Sequence, residues 1–263
     1  MAGKTIVVTS GKGGVGKTTT VANLGTSLAK RKYSVVMVDT DIGLRNLDVV
    51  MGLENRIVYN LVDIIEGKCR KEQAMIRDRK LPNLFMIPAA QTREKNSISP
   101  EQMKELCSTL AAEYDYVLID CPAGIEQGFK NAIAGADTAL VVTTPEVSAI
   151  RDADRVIGLL EAAMLRHISL IINRLNVKMV KKGDMMSTQD IISLLSVPLL
   201  GVVPESDEVV VSTNRGVPLA NDRNSKAGAA FIRMAARLNG ENVPMDGEGS
   251  HGFMGRVKQL LWN

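Results

Sequence analysis

Short apolar runs alternate with amphipathic segments along most of the chain. The runs are rich in Val and Ile and contain few polar positions, which favours β-strands that are buried on both faces. The predicted strands are residues 5–10, 35–39, 84–88, 116–120, 139–143, 169–173 and 199–203. Continuous apolar strands of this kind are typical of a parallel sheet that is covered by helices.

The segments between these strands have the spacing of amphipathic helices. The clearest start is at Ser99, where a capping Ser precedes Pro100 and Gln102 follows three residues after the cap. The predicted helices are residues 17–30, 100–113, 128–135, 147–164, 188–195 and 225–238. This alternation predicts an α/β fold, with a single doubly wound, mainly parallel sheet over residues 1–238.

The pattern changes after Leu238. Residues 239–252 are rich in Gly and acidic residues, which predicts a flexible linker. The last segment, 253–263, fits one short amphipathic helix with an apolar arc of about 120°. The arc consists of Phe253, Met254, Val257, Leu260 and Leu261, with Arg256, Lys258, Gln259 and Asn263 on the other side and Trp262 near the end.

Such a helix either lies on an anionic membrane or docks on the protein's own core. The flexible linker and the flanking cations favour the membrane. The predicted membrane contacts are Phe253, Met254, Val257, Lys258, Leu260, Leu261 and Trp262. A helix this short is marginal in water, so we expect it to form on the bilayer.

Composition and charge exclude several classes of protein. Hydrophobic residues make up 45% and charged residues 23% of the 263 positions, as in ordinary globular domains. The formal net charge of +3 is too small to indicate nucleic-acid binding by itself. Cys69, Cys107 and Cys121 form no CxxC pair, which argues against structural zinc and a disulfide framework. We expect no signal peptide and no membrane-spanning segment.

A glycine-rich loop follows the first predicted strand and opens the first predicted helix. Its sequence, GKGGVGKT at residues 11–18, matches the phosphate-binding pattern GxxxxGK[ST]. Backbone N–H groups and the helix N-terminus would hold the phosphates, Lys17 would neutralise them and Thr18 would bind Mg²⁺. The predicted ATP contacts are Gly11, Lys12, Gly13, Gly14, Val15, Gly16, Lys17, Thr18 and Thr19.

Two later strands end in carboxylates. Asp120 ends an apolar strand, as expected of a residue that acts on Mg²⁺ through water, and Asp39 and Asp41 follow the second strand. Carboxyl ends of parallel strands meet at one edge of a sheet, so we expect these side chains to converge on the loop. A single Asp in such a place can equally be a helix cap.

The second lysine of the loop, Lys12, is not required for a simple phosphate loop. The segment KGGVGKTT resembles the deviant phosphate loop of the MinD/ParA superfamily of ATPases. In that superfamily the extra lysine reaches the phosphates of a partner subunit in an ATP-bound dimer. The resemblance therefore implies that Lys12 is catalytic in trans, together with Lys17 in cis, and that ATP and Mg²⁺ are the cofactors.

Four further segments resemble the MinD branch of the superfamily. They are DTDIGLRNLD at 39–48, DCPAGIE at 120–126, TPEVSAIRDADR at 144–155 and the pair Asn173-Arg174. The resemblance implies that Asp41 positions or activates the attacking water and that Asn173 reads the adenine edge. It also implies that Thr18, Asp39 and Asp120 form the Mg²⁺ site, with Asp39 in a supporting role.

The resemblance implies an ATPase that positions the division septum. It would be a homodimer with ATP, would bind the anionic cytoplasmic face of the cell membrane, and would return to the cytoplasm after hydrolysis. The implied partners are a MinC-like division inhibitor and either a MinE-like activator or a polar anchor.

Three alternatives have different requirements. A ParA-type partition ATPase binds DNA through basic patches, and the apolar tail and small net charge argue against it. A MinD-like flagellar-number regulator can share the tail. An electron-transfer ATPase similar to the nitrogenase iron protein needs cysteines that bridge a cluster.

Overall fold

The computed structural model describes residues 2–93, 97–165 and 167–245. These residues form one sheet of eight strands, in the order β3-β4-β2-β5-β1-β6-β7-β8. The strands are β1 (Lys4–Thr9), β2 (Val35–Asp39), β3 (Ile76–Arg77), β4 (Leu84–Ile87), β5 (Tyr116–Asp120), β6 (Thr138–Thr143), β7 (His167–Leu175) and β8 (Leu199–Pro204). All pairs are parallel except β3 with β4, so the predicted doubly wound, mainly parallel sheet is confirmed.

Helices cover both faces of this sheet. They are α1 (Lys17–Lys30), α2 (Leu47–Met51), α3 (Leu61–Ile65), α4 (Lys71–Ala74), α5 (Pro100–Glu113), α6 (Gln127–Ala134), α7 (Val147–Ala162), α8 (Val177–Lys182), α9 (Thr188–Leu195), α10 (Glu208–Asn214) and α11 (Lys226–Leu238). The capping box predicted at Ser99 is present, since Ser99 Oγ accepts from Gln102 N–H and Gln102 Oε1 accepts from Ser99 N–H.

The central strand β1 shows how the sequence builds two core layers. Ile6 and Val8 pack with α1 and α11 on one face of the sheet, whereas Val7 packs with α5, α6 and α7 on the other. All three side chains are buried. A strand with apolar residues at every position therefore satisfies both layers at once, which is why the apolar runs identified the strands.

The elements that the sequence pattern missed are short. Helices α2, α3, α4, α8 and α10 have four to seven residues, and the antiparallel strand β3 has two. Segments of this length contain fewer than two helical turns, so they show no clear hydrophobic period.

The first part of the predicted linker is held against the body of the protein. Tyr116 Oη donates to Asn239 Oδ1, and Arg31 forms an ion pair with Glu241. Arg237 Nε donates to the Val243 carbonyl oxygen at 3.0 Å. Residues 239–244 of the predicted linker therefore contact the body of the protein, and the linker over 239–252 stays a prediction. The predicted membrane helix, 253–263, lies outside the described residues.

Along the described parts of the chain, none of the helices combines the length and the apolar character that crossing a bilayer requires.

Candidate nucleotide-binding site

The glycine-rich loop lies at the carboxyl end of β1 and leads into α1. Gly14 and Gly16 have φ angles of 77° and 103°, which L-residues with side chains rarely adopt. Gly16 also caps α1 without a side-chain hydrogen bond to the first turn. The N–H groups of that turn are therefore available to an anion, and the helix dipole favours one there.

Two close contacts fix the loop in the fold. A Cβ atom at Gly11 would lie 2.4 Å from the Asp152 carbonyl oxygen in α7. A Cβ atom at Gly16 would lie 2.3 Å from the amide nitrogen of Asn173 in β7. These two positions require glycine because neighbouring elements approach the backbone, and Gly16 requires it also because of its φ angle.

Lys17 is buried at the base of the loop. Its Nζ donates to Ser10 Oγ at 2.9 Å, and Ser10 Oγ donates to the Lys12 carbonyl oxygen at 2.7 Å. The side chain is therefore held beneath the loop, as expected of the lysine that serves the phosphates of its own subunit. Ser10 was not predicted as a site residue, although it directly precedes the motif.

Lys12 points to a different part of the molecule. Its Nζ forms an ion pair with Glu146 Oε2 at 2.9 Å and donates to Ser148 Oγ at 3.3 Å. The Lys12 and Glu146 side chains are 42% and 55% exposed. The two lysines of the loop thus have separate surroundings, one buried and one at the surface.

Asp39 organises the loop that follows β2. One carboxylate oxygen accepts from Asp41 N–H at 2.9 Å, and the other accepts from Asn46 and Leu47 N–H at 3.3 and 3.2 Å. Burial raises the pKa of Asp39 to about 6, although these hydrogen bonds oppose the rise. Both oxygens are occupied by backbone groups, which fits a supporting role better than direct binding of Mg²⁺.

Asp120 lies beside Asp39, because β2 and β5 pair in a register that sets the two residues opposite each other. Burial and the charge of Asp39 raise the pKa of Asp120 well above its ordinary value, whereas Thr18 and Lys17 lower it. Asp120 Oδ1 is buried and has no hydrogen-bond partner within the described part of the chain. An orphaned carboxylate oxygen near the Thr18 hydroxyl is the kind of hard donor that Mg²⁺ or its bound water prefers.

Asp41 joins this group of carboxylates at the mouth of the site. It is half-buried, and its negative charge raises the pKa of both Asp39 and Asp120. The three aspartates therefore lie close to one another at the carboxyl ends of β2 and β5, and Asp120 is the one that interacts with Thr18 and Lys17 of the loop. Their mutual repulsion gives the site a preference for a cation.

Asn173 and Arg174 hold the loop from the other side. Asn173 Nδ2 donates to the Val15 carbonyl oxygen at 2.7 Å, and Arg174 Nη2 donates to the Gly14 carbonyl oxygen at 2.9 Å. Next to them is a groove of about 280 Å³ whose lining includes Gly16, Thr19, Asn173, Pro204 and Asp207. This groove is adjacent to the loop and has room for a nucleoside. The segment that follows β8 lines this groove, but it was not predicted as part of the site. Its position at the carboxyl end of a strand was the signal that could have identified it.

The three cysteines offer no pair of exposed thiols, because Cys69 is partly buried and the other two are buried. Cys121 is buried, which raises its pKa to about 12, and its Sγ accepts from Thr9 Oγ1 at 3.4 Å. Cys107 is buried in α5. A cluster that bridges two subunits needs exposed thiols, so this arrangement does not support the electron-transfer alternative.

The phosphate loop, its lysine and the converging carboxylates instead define a P-loop nucleoside triphosphatase.

Comparisons with known proteins narrow this class. A family model described as the CobQ/CobB/MinD/ParA nucleotide binding domain matches residues 6–219. The septum site-determining protein MinD of Bacillus subtilis (strain 168) is 53% identical over 263 residues, which covers 98% of each chain. The chain therefore belongs to the MinD/ParA family of P-loop ATPases.

Two solved structures have the same fold. The MinC:MinD cell division protein complex of Aquifex aeolicus contains a chain that is 46% identical, with a TM-score of 0.87 and coverage of 94% of this chain and 100% of that chain. The septum site-determining protein MinD of Pyrococcus horikoshii OT3, complexed with Mg-ADP, is 31% identical, with a TM-score of 0.82 and coverage of 90% of this chain and 96% of that chain.

Proposed function

We propose that this protein is a dimerising ATPase that attaches to the membrane with ATP and positions the division septum. In this proposal it recruits a MinC-like division inhibitor to the anionic cytoplasmic face of the cell membrane. Hydrolysis then separates the dimer and returns the protein to the cytoplasm. A MinE-like activator or a polar anchor would act on the same cycle.

The observation that carries this proposal is the separation of the two loop lysines. Lys17 is buried beneath the loop, whereas Lys12 is at the surface in an exposed ion pair with Glu146. Exposed ion pairs contribute at most about 1 kcal/mol, so Lys12 can leave Glu146 at little cost. A cation delivered by a second subunit stabilises charge on the transferring phosphoryl group, which makes hydrolysis depend on dimerisation.

Residues of one subunit would bind and orient the nucleotide. The N–H groups of the loop and Lys17 hold the phosphates, and Asp41 orients the attacking water and accepts a hydrogen bond from it. Thr18 and Asp120 would hold Mg²⁺, Asp120 through water. The ion would neutralise charge on the phosphate oxygens. Asn173 would face the adenine from the adjoining groove.

The membrane step rests on the tail and on valency. One short amphipathic helix binds a bilayer weakly, whereas two helices on one dimer make the second insertion intramolecular. Avidity of this kind raises apparent affinity by roughly 10²–10⁴-fold. Dimerisation driven by ATP thus becomes attachment driven by ATP, and hydrolysis reverses it.

The names of the relatives support the choice of partner. The Bacillus subtilis relative is a septum site-determining protein, and the Aquifex aeolicus relative was solved in a complex named MinC:MinD. Full-length similarity at 53% and 46% identity favours the same role here over the partition and flagellar alternatives. A plasmid partition protein of Borrelia burgdorferi B31 and a ParA family ATPase of Chlorobium tepidum TLS share the fold but are only 21% and 24% identical.

The decisive experiment is co-sedimentation with anionic liposomes. Full-length protein and a variant ending at residue 252 would each be tested with ATP and with ADP, and the oligomeric state would be measured by light scattering. We expect only the full-length protein with ATP to pellet, and both proteins to dimerise with ATP. If full-length protein stays in the supernatant with ATP although it dimerises, membrane attachment is wrong and duplex DNA binding becomes the next test.

A further inference from the structure

The end of α11 lies at the amino-terminal ends of the strands, which we call the strand-start edge of the sheet. The phosphate loop lies at the opposite ends of the strands. Lys4 Nζ, at the start of β1, donates to the Leu238 carbonyl oxygen at 2.9 Å. Arg237 Nη1 donates to the Leu200 carbonyl oxygen near the start of β8 at 2.8 Å. The end of α11 is therefore fixed at the strand starts, whereas the nucleotide site lies at the strand ends.

The same edge carries a group of exposed cations. We call this group the basic edge, and it consists of Lys4, Lys32, Arg77, Arg79 and Lys80. The turn before β4 and the loop after α1 are joined, because Asn83 Nδ2 donates to the carbonyl oxygens of Ala29 and Tyr33 at 2.8 and 2.7 Å. That contact brings Arg79 and Lys80 to the side of the molecule where Lys32 lies.

The carboxylates at this edge leave an excess of positive charge. Asp115 accepts from Ser34 N–H and Oγ, and Asp78 accepts from Lys80 and Leu81 N–H. Three further carboxylates are in ion pairs, Glu241 with Arg31 and both Glu72 and Glu113 with Lys71. Asp137, which accepts from Thr5 Oγ1 beside Lys4, is a third carboxylate at this edge. Five exposed cations thus face three carboxylates that are outside ion pairs, in a protein whose whole net charge is only +3.

A short segment joins the body of the protein to the tail, and its length limits the distance between the basic edge and the tail. The body holds the chain up to Pro244, whose carbonyl oxygen accepts from Arg237 Nη2. Residues 246–252 then lead to Phe253. Even a fully extended chain between Met245 and Phe253 spans at most roughly 29 Å. A tail on the bilayer therefore keeps this end of the molecule near the headgroups.

We propose that the basic edge is a second membrane-contact surface, which binds the anionic headgroups of phospholipids. The proposal rests on the proposed membrane attachment through the tail. Cations close to an anionic bilayer each strengthen binding by about fivefold, within about a Debye length of the surface. The tail supplies apolar insertion, and the basic edge supplies attraction that depends on lipid charge and orients the phosphate loop away from the membrane.

The test compares two charge reversals in the full-length protein. The first variant is Lys32→Glu, Arg79→Glu and Lys80→Glu. The matched control is Lys178→Glu, Lys181→Glu and Lys182→Glu. It changes the net charge of the protein by the same amount, but on α8, which follows β7 at the carboxyl ends of the strands. Partition onto vesicles of phosphatidylcholine with a rising fraction of phosphatidylglycerol is measured with ATP. Dimerisation with ATP, measured in the absence of lipid, verifies that both variants fold.

We expect the first variant to partition at least about tenfold more weakly than the control on phosphatidylglycerol-rich vesicles, with a shallower dependence on salt. Equal partition of the two variants would overturn the second surface while leaving the tail mechanism intact. A wild-type protein that fails to bind any vesicle would instead contradict the membrane attachment itself. The wild-type measurement therefore separates the two proposals.

Discussion

The ammonium group of Lys12 lies 2.9 Å from the carboxylate of Glu146, although 134 residues separate them in the chain. Glu146 precedes α7, the same helix whose Asp152 carbonyl oxygen excludes a side chain at Gly11. The loop and the start of α7 thus form one surface beside the nucleotide site. In this conformation Lys12 is retained by its own subunit, and its use in trans requires this ion pair to open.

This arrangement predicts that Lys12→Ala affects turnover and not folding. The free energy of unfolding should change by less than about 1 kcal/mol, because the ion pair is exposed. ATP should still bind, because Lys17 is unchanged. Hydrolysis stimulated by membrane and partner should fall at least about 10³-fold, the usual effect of losing a cation supplied in trans.

Steady-state hydrolysis and ATP titration check this prediction. The control is Lys17→Ala, which should lose ATP affinity as well as turnover. If the Lys12→Ala variant hydrolysed ATP at the wild-type rate, the argument for catalysis in trans would be removed.

Asp120→Asn should stabilise the nucleotide-free protein. Burial raises the pKa of Asp39 to about 6 and that of Asp120 well above its ordinary value, so the folded state binds protons more tightly than the unfolded state. The stability due to these groups is therefore present at low pH and is lost as the pH rises, through about 6 in the case of Asp39. Removing one buried charge should raise the free energy of unfolding at neutral pH by about 1–3 kcal/mol and flatten this decline.

Urea unfolding without nucleotide, followed from pH 5 to pH 8 (roughly the range in which Asp39 titrates), measures this effect. The exposed residue Asp184 provides the control, because Asp184→Asn should leave the pH profile unchanged. Mg²⁺ and ATP should stabilise the wild type more than Asp120→Asn. A variant that is less stable than the wild type at every pH would show that Asp120 is a structural residue.

Two glycines of the phosphate loop should respond differently to alanine. Both have positive φ angles, but a Cβ at Gly14 meets no atom within 4 Å, whereas a Cβ at Gly16 meets the Asn173 amide at 2.3 Å. Gly14→Ala should cost about 1–2 kcal/mol of unfolding free energy from backbone strain alone. Gly16→Ala adds the clash and should cost about 2–4 kcal/mol and abolish ATP binding.

Thermal unfolding and ATP titration distinguish the two variants. In the double variant Gly16→Ala with Asn173→Ala, the clash is removed, so part of the lost stability should return. Equal costs for the two single variants would mean that Asn173 yields easily and that the contact does not fix the loop.

Asn173 has two roles that one substitution can separate. Its amide holds the Val15 carbonyl oxygen, and we infer that it also faces the base. Loss of the loop contact alone should weaken ATP and GTP equally. Loss of base recognition should reduce the preference for ATP over GTP, by about tenfold if one hydrogen bond is involved.

Binding of both nucleotides to Asn173→Ala and to wild type gives the answer. Arg174→Ala is the matched control, because it removes a contact with the Gly14 carbonyl oxygen beside the same groove. We expect the ATP preference to fall only in Asn173→Ala. An unchanged ratio would assign Asn173 to the loop alone.

Much of the fold and the centre of the site were readable from the sequence because their signals are local. The phosphate loop is eight consecutive residues, and the strands that flank it are apolar at every position. The capping box at Ser99 and the carboxylates at strand ends are equally short patterns. Each depends on the chemistry of neighbouring residues, and that chemistry does not change with the rest of the fold.

Tertiary structure alone decided which distant residues meet. The pairing of β2 with β5 sets Asp39 opposite Asp120, where burial and the charge of Asp39 raise the pKa of Asp120 and one of its oxygens has no partner among the described residues. The contact of Lys12 with Glu146, and the attachment of residues 239–244 to the body, likewise depend on elements far apart in the chain. A sequence pattern encodes local preference, whereas these contacts follow from strand order and packing, which are properties of the whole chain.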